Sequence, residues 1–250
     1  MTRVNFHINM KTVIIIPVRM ASQRFPNKPM ALIDNVPMIQ RVWERAINSQ
    51  IGETYVACSE KEVFDLINGL GGKAILTDPS LPSGTDRVFE AFKKIENFEI
   101  YDSIINLQGD MPLISPEHVK KVNEPLLKGF DIGTLVTNLS AKQERDSNVT
   151  KAKIDWHAES KVGKASNFYK IPRNNVDQVY QHVGIYSFKI ESLKKFVSFP
   201  QSENELKYKL EQWRAIDFGI SIGAIYADNV PISVDTKEDL NQIESIIKST

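Results

Sequence analysis

Cysteine is almost absent from this chain, since Cys58 is the only one among its 250 residues. An internal disulfide is therefore excluded, and so is a zinc site built on several thiolates. The four histidines are scattered and show no spacing typical of metal ligands. Residues 1–12 lack the apolar stretch of a secretion signal. Together these features predict a protein that works in a reducing cytoplasm.

An excess of charge of either sign is also missing. Lys and Arg total 31, Asp and Glu total 31, and the formal net charge is zero. Proteins that hold polyanions usually carry a basic surplus, so we expect no nucleic acid partner, although a local basic pocket for a small anion stays compatible with this composition. No apolar run approaches the roughly 20 residues that a bilayer span needs, so we expect no membrane partner.

The first half of the chain alternates strand patterns with helix patterns. Val13–Pro17 (VIIIP) and Ser103–Leu107 (SIINL) are typical of strands buried on both faces of a sheet. Such alternation predicts an α/β fold with right-handed crossovers and a mostly parallel sheet covered by helices. In folds of this kind, ligands bind beyond the carboxyl ends of the strands.

The pattern changes in the second half. Residues 130–188 contain strands and irregular segments, which we interpret as an insertion or an antiparallel extension of the sheet. No linker rich in Gly, Pro or Ser divides the chain, so we predict one domain over residues 1–250, with residues 1–10 as a poorly ordered extension. Three further elements are predicted near the end: a charged helix at Ser202–Phe218, a strand at Val230–Val234 and a helix at Thr236–Lys248.

Three cations, Arg19, Arg24 and Lys28, lie close together in the loop that leaves the first strand. A nucleoside triphosphate needs its charge countered, and Arg offers two-point contacts to phosphate while Lys offers a mobile point charge. Asn27 stands in a turn of this loop that needs a positive φ angle, which Asn tolerates. The loop is not a Walker A motif, because GxxxxGK[ST] is absent. On charge alone, a triphosphate site and a solvated basic loop are about equally favoured.

Two aspartates each follow an apolar strand pattern, Asp110 in NLQGDMP and Asp235 in ISVDTKEDL. Magnesium prefers hard oxygen ligands, usually one or two carboxylates plus phosphate oxygens. Either aspartate alone is more simply interpreted as a turn residue or a helix cap. However, Thr236 suits the cap better, with Asp239 as its capping-box partner. The two aspartates together favour a magnesium site.

Three further motifs are ambiguous by themselves. Ser83–Arg87 (SGTDR) opens a helix, and it serves either as an ordinary N-cap or as a row of backbone N–H groups that face a nucleotide. His182 in HVGIY would usually be a structural histidine in a strand. Glu211 and Arg214 in LEQWR would usually form an exposed helical pair.

In chain order, these motifs resemble those of the CMP-Kdo synthetases (3-deoxy-manno-octulosonate cytidylyltransferases). The first loop resembles P-x-R-x-x-S-x-R-x-P-x-K-P, and SGTDR, N-x-Q-G-D-x-P, H-x-G-I-Y, L-E-Q-x-R and V-D-T-x-E-D-L follow in the family's order. The likeness runs from about Lys11 to the C-terminus. Any one string is weak evidence, but six in order at family-like spacing are highly specific.

The resemblance implies a Rossmann-like nucleotidyltransferase fold and a homodimer that uses part of the middle insertion at its interface. It also implies Mg²⁺-dependent transfer of CMP from CTP to the anomeric hydroxyl of Kdo, giving CMP-Kdo and pyrophosphate for lipopolysaccharide synthesis. The implied roles are triphosphate binding by Arg19, Arg24 and Lys28; metal binding by Asp110 and Asp235; nucleotide contacts by Ser83, Gly84, Thr85, Asp86 and Arg87; and sugar contacts by Gln108, His182, Tyr186, Glu211 and Gln212.

The chain departs from the family pattern at four positions. Ser59 stands where the family commonly has Asp, and Met111 stands where it has an acidic or amide residue after Q-G-D. Phe168 replaces the arginine of an F-S-R element, and Tyr208 replaces a glutamate. The last two positions lie on the sugar side, so the main alternative keeps the chemistry and changes the sugar to an amino-substituted Kdo analogue or another acidic sugar.

Two other classes of protein are less favoured. A nucleotide-sugar glycosyltransferase would be expected to carry an Asp-x-Asp metal motif, and Gly109-Asp110 is not one. A nucleotide-binding regulatory module that has lost catalysis is disfavoured, because the basic residues of the first loop and both aspartates are intact.

Overall fold

The computed structural model describes residues 10–21, 25–156, 161–171 and 178–249. Residues 1–9 and Arg24 lie outside the described residues, and so do two short parts of the middle insertion. The expectations for the N-terminal extension and for Arg24 as a triphosphate ligand therefore stay predictions.

The first half alternates strands and helices as its sequence predicts. After α2, Gly71 takes a φ of 80°, a left-handed conformation that suits glycine and ends the helix. The elements are β1 (Thr12–Pro17), a small hairpin of β2 (Leu32–Ile33) and β3 (Val36–Pro37), α1 (Met38–Asn48), β4 (Gly52–Cys58), α2 (Lys61–Gly69), β5 (Lys73–Leu76), α3 (Gly84–Lys93) and β6 (Ser103–Leu107).

The second half contributes short helices and the remaining strands. Among the described helices of the whole chain, none combines the length and apolarity that a bilayer crossing needs. The elements are α4 (Pro116–Lys121), α5 (Glu124–Leu127), β7 (Ile132–Thr137), α6 (Ala141–Arg145), β8 (Lys151–Trp156), β9 (Val162–Tyr169), β10 (Val179–Lys189), α7 (Ile190–Ser198), α8 (Glu203–Tyr208), α9 (Gln212–Asp217), β11 (Ile222–Tyr226) and α10 (Lys237–Lys248).

Nine of the described strands form one sheet in the order β5-β4-β1-β6-β10-β7-β11-β9-β8. β5, β4, β1 and β6 are parallel, and β10 enters antiparallel between β6 and β7. Among the strands of this sheet that the structure describes, β9 and β10 alone run against the others. The predicted α/β sheet, mostly parallel with an antiparallel extension, is confirmed.

The antiparallel extension closes on itself. β8 pairs with β9 and also with the start of β10, so that β10, β7, β11, β9 and β8 form a ring of strands. The pairing of β10 with β7 shifts register between Val183 and Tyr186. An irregularity of this kind bends a strand and redirects its side chains. It lies within the HVGIY motif, between His182 and Tyr186.

The sheet is buried on both faces, which explains the continuous apolar run of β1. Val13 and Ile15 pack into the core on one face, and Ile14 and Ile16 pack into the core on the other. All four side chains are fully buried. Because both faces are covered, the exposed ends of the strands are where a ligand can reach the sheet.

Two predictions about the second half are wrong. The charged segment Ser202–Phe218 is not one helix, because Lys209 takes a left-handed φ of 55° and separates α8 from α9. Val230–Val234 is not a strand. Pro231 lacks an N–H group for a ladder, and the Val234 N–H donates to the carbonyl of Asp110 at 2.9 Å instead. The last strand is β11, an apolar run that the sequence prediction overlooked.

Candidate active site

A cleft of about 1110 Å³ opens at the carboxyl ends of the parallel strands. The loops after β1 and β6 and the start of α3 form its walls, as expected for a ligand site in this fold. The predicted site residues that line it are Arg19, Lys28, Ser83, Gly84, Arg87, Gln108, Asp110 and Asp235. Arg19 and Lys28, two of the three cations expected to bind phosphate, therefore share one cleft with both carboxylates expected to bind metal.

The basic loop is held in a defined shape where the structure describes it. The Asn27 N–H donates to the carbonyl of Met20 at 3.1 Å, which ties the two ends of the loop together. Asn27 has a φ of 57°, so the predicted left-handed turn is confirmed. Pro29 is buried within a one-turn 3₁₀ helix, Lys28–Met30. Arg19 is exposed at the cleft wall, where its guanidinium can reach an anion.

Lys28 brings the two aspartates together. Its ammonium lies 2.8 Å from Oδ2 of Asp110 and 3.7 Å from Oδ1 of Asp235, and it donates to the carbonyl of Val234 at 2.9 Å. The Val234–Asp110 backbone hydrogen bond joins the same two loops. Thr236 and Asp239 form the predicted capping box, so Asp235 is not needed as the cap of α10. The two carboxylates thus converge on one cation position.

The donor set at this position fits a hard divalent cation. Both groups are carboxylates, both are partly exposed to the cleft, and a positive group already bridges their oxygens. Within the described residues, no group of three or more His, Cys, Asp or Glu side chains could hold a metal. A metal here would therefore have two protein carboxylates and would complete its shell with phosphate oxygens and water, which suits Mg²⁺.

Gly109 allows the β6 loop to approach the β1 loop. A Cβ atom at this position would collide with Cγ1 of Val18 and would lie 3.2 Å from the carbonyl oxygen of Pro17. Only a residue without a side chain lets the backbone pass this close. The close approach brings Asp110 to the same end of the sheet as Lys28.

The start of α3 combines a helix cap with a cleft wall. The Ser83 hydroxyl accepts the N–H of Asp86 at 3.1 Å, so the N-cap interpretation is confirmed. Ser83, Gly84 and Arg87 also line the cleft, whereas Thr85 is buried behind them. Capping and nucleotide contact are therefore compatible at this helix start. The nucleotide contacts themselves stay a prediction.

His182 and Tyr186 lie behind the cleft rather than on its wall. His182 is buried, and its Nε2 lies 3.0 Å from the hydroxyl of Thr134. Burial lowers the pKa of His182 to about 3, with a smaller contribution from the positive charge of Lys170. Burial likewise raises the pKa of Tyr186, whose hydroxyl accepts a hydrogen bond from Nε2 of Gln212. Both side chains are therefore neutral near pH 7, and the sugar contacts that the resemblance implies for them stay a prediction.

Glu211 is hydrogen-bonded to the start of α3. Its carboxylate accepts a hydrogen bond from Thr85 at 3.1 Å. The Ser83 hydroxyl lies 3.0 Å from the same carboxylate and shares its one proton with Oδ2 of Asp86 at 2.6 Å. Burial raises its pKa, although both of these donors act in the opposite direction. Arg214 does not pair with it. It forms a buried, two-point ion pair with Glu205 at 2.6 and 2.7 Å. The alternative of an exposed Glu211–Arg214 helical pair is therefore wrong.

Sequence reasoning missed two polar residues at the site. Glu60 lines the cleft, and its carboxylate accepts the N–H of Met20 at 3.2 Å, which supports the basic loop. No sequence signal marks this residue. Asn106 is fully buried in β6, between Thr85 and Gln108. An amide inside an otherwise apolar strand was a signal that could have found it.

The four departures from the family pattern have ordinary packing roles in this chain. Ser59 donates a hydrogen bond to Glu60, and Met111 is buried. Phe168 is buried edge-on against His182, with ring centroids 5.3 Å apart. Tyr208 packs on Trp213 at 5.3 Å. An aromatic ring thus stands where the family pattern has a cation, and it contacts the ring of His182.

Comparison with known proteins gives consistent matches over nearly the whole chain. A 3-deoxy-manno-octulosonate cytidylyltransferase from Paramagnetospirillum magneticum is 42% identical over 241 residues, which cover 95% of this chain and 98% of the relative. An enzyme of the same name from Rickettsia felis is 41% identical over 233 residues, 92% of each chain.

Solved structures agree with the sequence comparison. A CMP:2-keto-3-deoxy-manno-octonic acid synthetase complexed with CTP superposes with a TM-score of 0.85 at 32% identity, covering 96% of this chain and 99% of that one. A nucleotidyl transferase from Methanothermobacter, at 13% identity and a TM-score of 0.63, shares the fold alone. The sequence profile described as Cytidylyltransferase matches residues 13–222. The chain therefore belongs to the cytidylyltransferase family, among the 3-deoxy-manno-octulosonate cytidylyltransferases.

Proposed function

We propose that this protein transfers CMP from CTP to the anomeric hydroxyl of Kdo and releases pyrophosphate. The strongest support is the cleft in which Lys28 lies between Asp110 and Asp235, because phosphate-binding cations and a carboxylate pair meet there. Relatives that are 42% and 41% identical over 95% and 92% of the chain are named 3-deoxy-manno-octulosonate cytidylyltransferase. The product, an activated acidic sugar, is the form required for lipopolysaccharide synthesis.

The residues of the chain would act by positioning and by charge stabilisation. Arg19, Arg24 and Lys28 would bind the triphosphate and stabilise the charge that develops on the departing pyrophosphate. Asp110 and Asp235 would hold a Mg²⁺ ion, which when bound polarises a phosphate oxygen and lowers the pKa of the attacking hydroxyl. Lys28, which now bridges the two carboxylates, has phosphate as its alternative partner when CTP is present.

The identity of the sugar is best tested directly. Kdo is favoured by the names of the relatives, and an amino-substituted Kdo analogue or another acidic sugar is the alternative suggested by Phe168 and Tyr208. Each acidic sugar would be incubated with CTP and Mg²⁺, and pyrophosphate release would be measured. We expect kcat/KM to be highest with Kdo. A much higher value with an amino sugar would reassign the substrate, and no release with any sugar would contradict transferase activity.

Base recognition is expected at the start of α3. Ser83 and Gly84 line the cleft there, and a site that hydrogen-bonds one base leaves buried polar groups unpaired with another. CTP should therefore be used far better than ATP or GTP. Pyrophosphate release with each nucleotide at saturating sugar measures this preference, and equal rates with CTP and ATP would refute it.

We further propose that the protein is a cytoplasmic homodimer, as the resemblance to the family implies. The cytoplasmic location is supported by the single cysteine, Cys58, which is free and buried. The dimer is supported by the middle insertion, which would contribute to the interface. Size-exclusion chromatography with light scattering would measure the mass. A mass of one chain at the working concentration would contradict the dimer.

A further inference from the structure

A chain of side-chain hydrogen bonds runs from the cleft wall to α9. Nε2 of Gln108 donates to Oδ1 of Asn106 at 2.7 Å, and Nδ2 of Asn106 donates to Oγ1 of Thr85 at 3.2 Å. The Thr85 hydroxyl then donates to Oε2 of Glu211 at 3.1 Å. The Ser83 hydroxyl lies 3.0 Å from Oε1 of Glu211 and shares its one proton with Oδ2 of Asp86 at 2.6 Å. Asn106 and Thr85 are buried, whereas Gln108 lines the cleft.

When Glu211 is ionised, its carboxylate fixes the direction of every bond in this chain. A carboxylate only accepts, so the single proton of the Thr85 hydroxyl points to Glu211. The Thr85 oxygen can then only accept, which requires Asn106 to present its NH₂ group. The oxygen of Asn106 consequently faces Gln108, and Gln108 must present its own NH₂ group in return. Each amide is left with one orientation.

The orientation of Gln108 has a consequence for the ligand. Its NH₂ group is engaged with Asn106, and among the described residues none donates a hydrogen bond to its oxygen, Oε1. That oxygen lies beside the start of α3, 3.5 Å from where a Cβ of Gly84 would be. On its other side, Cγ of Gln108 lies 3.8 Å from where a Cβ of Gly184 in β10 would be. Gln108 therefore lies between the start of α3, where nucleotide contacts are expected, and β10, where sugar contacts are expected.

We propose that Asn106 and Thr85 are positioning residues that make Gln108 present an acceptor to the ligand. This role rests on the proposed function. In the complex, Oε1 of Gln108 would accept a hydrogen bond from the ligand, either from a hydroxyl of the acidic sugar or from the amino group of cytosine. Glu211 acts at the far end, since its charge sets the polarity of the whole chain. Neither Asn106 nor Thr85 touches the ligand in this arrangement.

If Asn106 had a purely structural role, it would only satisfy the hydrogen bonds of its two polar neighbours, Thr85 and Gln108. The two roles differ in how they depend on Gln108. A positioning residue acts through Gln108, so its effect disappears when the amide of Gln108 is removed. A structural residue affects the fold whether or not that amide is present, and its cost adds to that of the second substitution.

The first experiment is a double-mutant cycle on kcat/KM with Asn106→Leu, Gln108→Ala and the double variant. Leu branches at Cγ as Asn does, but its methyl groups form no hydrogen bond with Gln108 or Thr85. We expect Asn106→Leu to lower kcat/KM about tenfold, the size of one lost hydrogen bond to the ligand, mainly through KM. In the Gln108→Ala background the same change should cost less than about twofold. Full additivity of the two losses would overturn the proposal.

The second experiment uses the matched pair Thr85→Ser and Thr85→Val, which remains informative if the Leu variant does not fold. Serine keeps the hydroxyl and valine keeps the shape. We expect the serine variant to stay within about twofold of the wild type in kcat/KM and the valine variant to lose several-fold. Equal behaviour of the two variants, at melting temperatures near that of the wild type, would refute the positioning role.

Separate KM values show which ligand group is bound. A rise confined to the sugar KM identifies a sugar hydroxyl, and a rise confined to the CTP KM identifies the cytosine amino group. Normal KM values for both substrates in a folded Asn106→Leu variant would overturn the proposal. The wild-type rate with CTP and Kdo is measured beside the variants, so a failure of the proposed function would show in the wild type itself.

Discussion

Replacing Arg214 by methionine should destabilise the protein, because it removes one partner of a buried ion pair. The Arg214 guanidinium binds the Glu205 carboxylate through two hydrogen bonds, and the two side chains are 3% and 6% exposed. Methionine would fill most of the volume but would leave a carboxylate buried without its cation. Such a loss costs about 3–5 kcal/mol of unfolding free energy at comparable sites.

This loss should be easy to measure. The expected change is a large share of the about 5–15 kcal/mol that stabilises a typical domain. At about 2–4 °C per kcal/mol for a chain of this length, Tm should fall by about 6–20 °C. Thermal and urea unfolding followed by circular dichroism would give both values. Lys61→Met is the control, because its ion pair with Asp65 is exposed and should contribute less than about 1 kcal/mol.

A double variant separates the charge from the packing. Glu205→Gln combined with Arg214→Met removes both charges, and Gln can still serve in the capping box with Ser202. We expect the double variant to be more stable than Arg214→Met alone, because no unpaired charge is left buried. An Arg214→Met loss below about 1 kcal/mol, or a double variant that is no more stable than the single one, would refute this reasoning.

The same pair predicts a dependence of stability on pH. Burial alone would raise the pKa of Glu205, but the hydrogen bonds from Arg214 and Gln201 outweigh burial and lower it below 4.5. A lowered carboxyl pKa stabilises the fold above the unfolded value, and this contribution is lost as the pH falls below about 4.5. Arg214→Met should remove that part of the acid sensitivity, which unfolding curves between pH 3 and pH 7 would show.

Three further predictions concern the site. Asp110→Asn should lower turnover by orders of magnitude with little change in Tm, because it keeps volume and removes a ligand charge; near-normal pyrophosphate release would contradict the metal assignment. Glu211→Ala should raise the KM values for both CTP and sugar, because the carboxylate is hydrogen-bonded to Ser83 and Thr85 at the start of α3. A normal KM for CTP would show that these hydrogen bonds do not position the start of α3 for nucleotide binding. His182 should stay neutral from pH 8 to pH 5, since its pKa lies at about 3. Its contribution to the free energy of unfolding should fall as the pH drops below 6.5, the ordinary pKa of histidine, because only the unfolded state then binds a proton at this ring. An NMR titration of the ring with a midpoint near 6.5 would refute this.

The sequence by itself determined the elements that local patterns encode. The continuous run of β1 required burial on both faces, Asn27 indicated a left-handed turn, and Thr236 with Asp239 indicated the start of α10, all of which the structure confirms. The order of the motifs was enough to identify the family. These features depend on side chains close together in sequence, so their physics can be read without the fold.

Tertiary structure decided what depends on partners far apart in the chain. Ile222–Tyr226 is a strand because β7 and β9 lie on either side of it, whereas the equally apolar Val230–Val234 has no such neighbours within the described sheet. Glu211 bonds Ser83 and Thr85 across more than 120 residues, as no helical spacing could have indicated. Ion pairs and hydrogen bonds form wherever folding brings their atoms within about 3 Å, so the polar connections of the site were decided by the packing of the sheet and its helices.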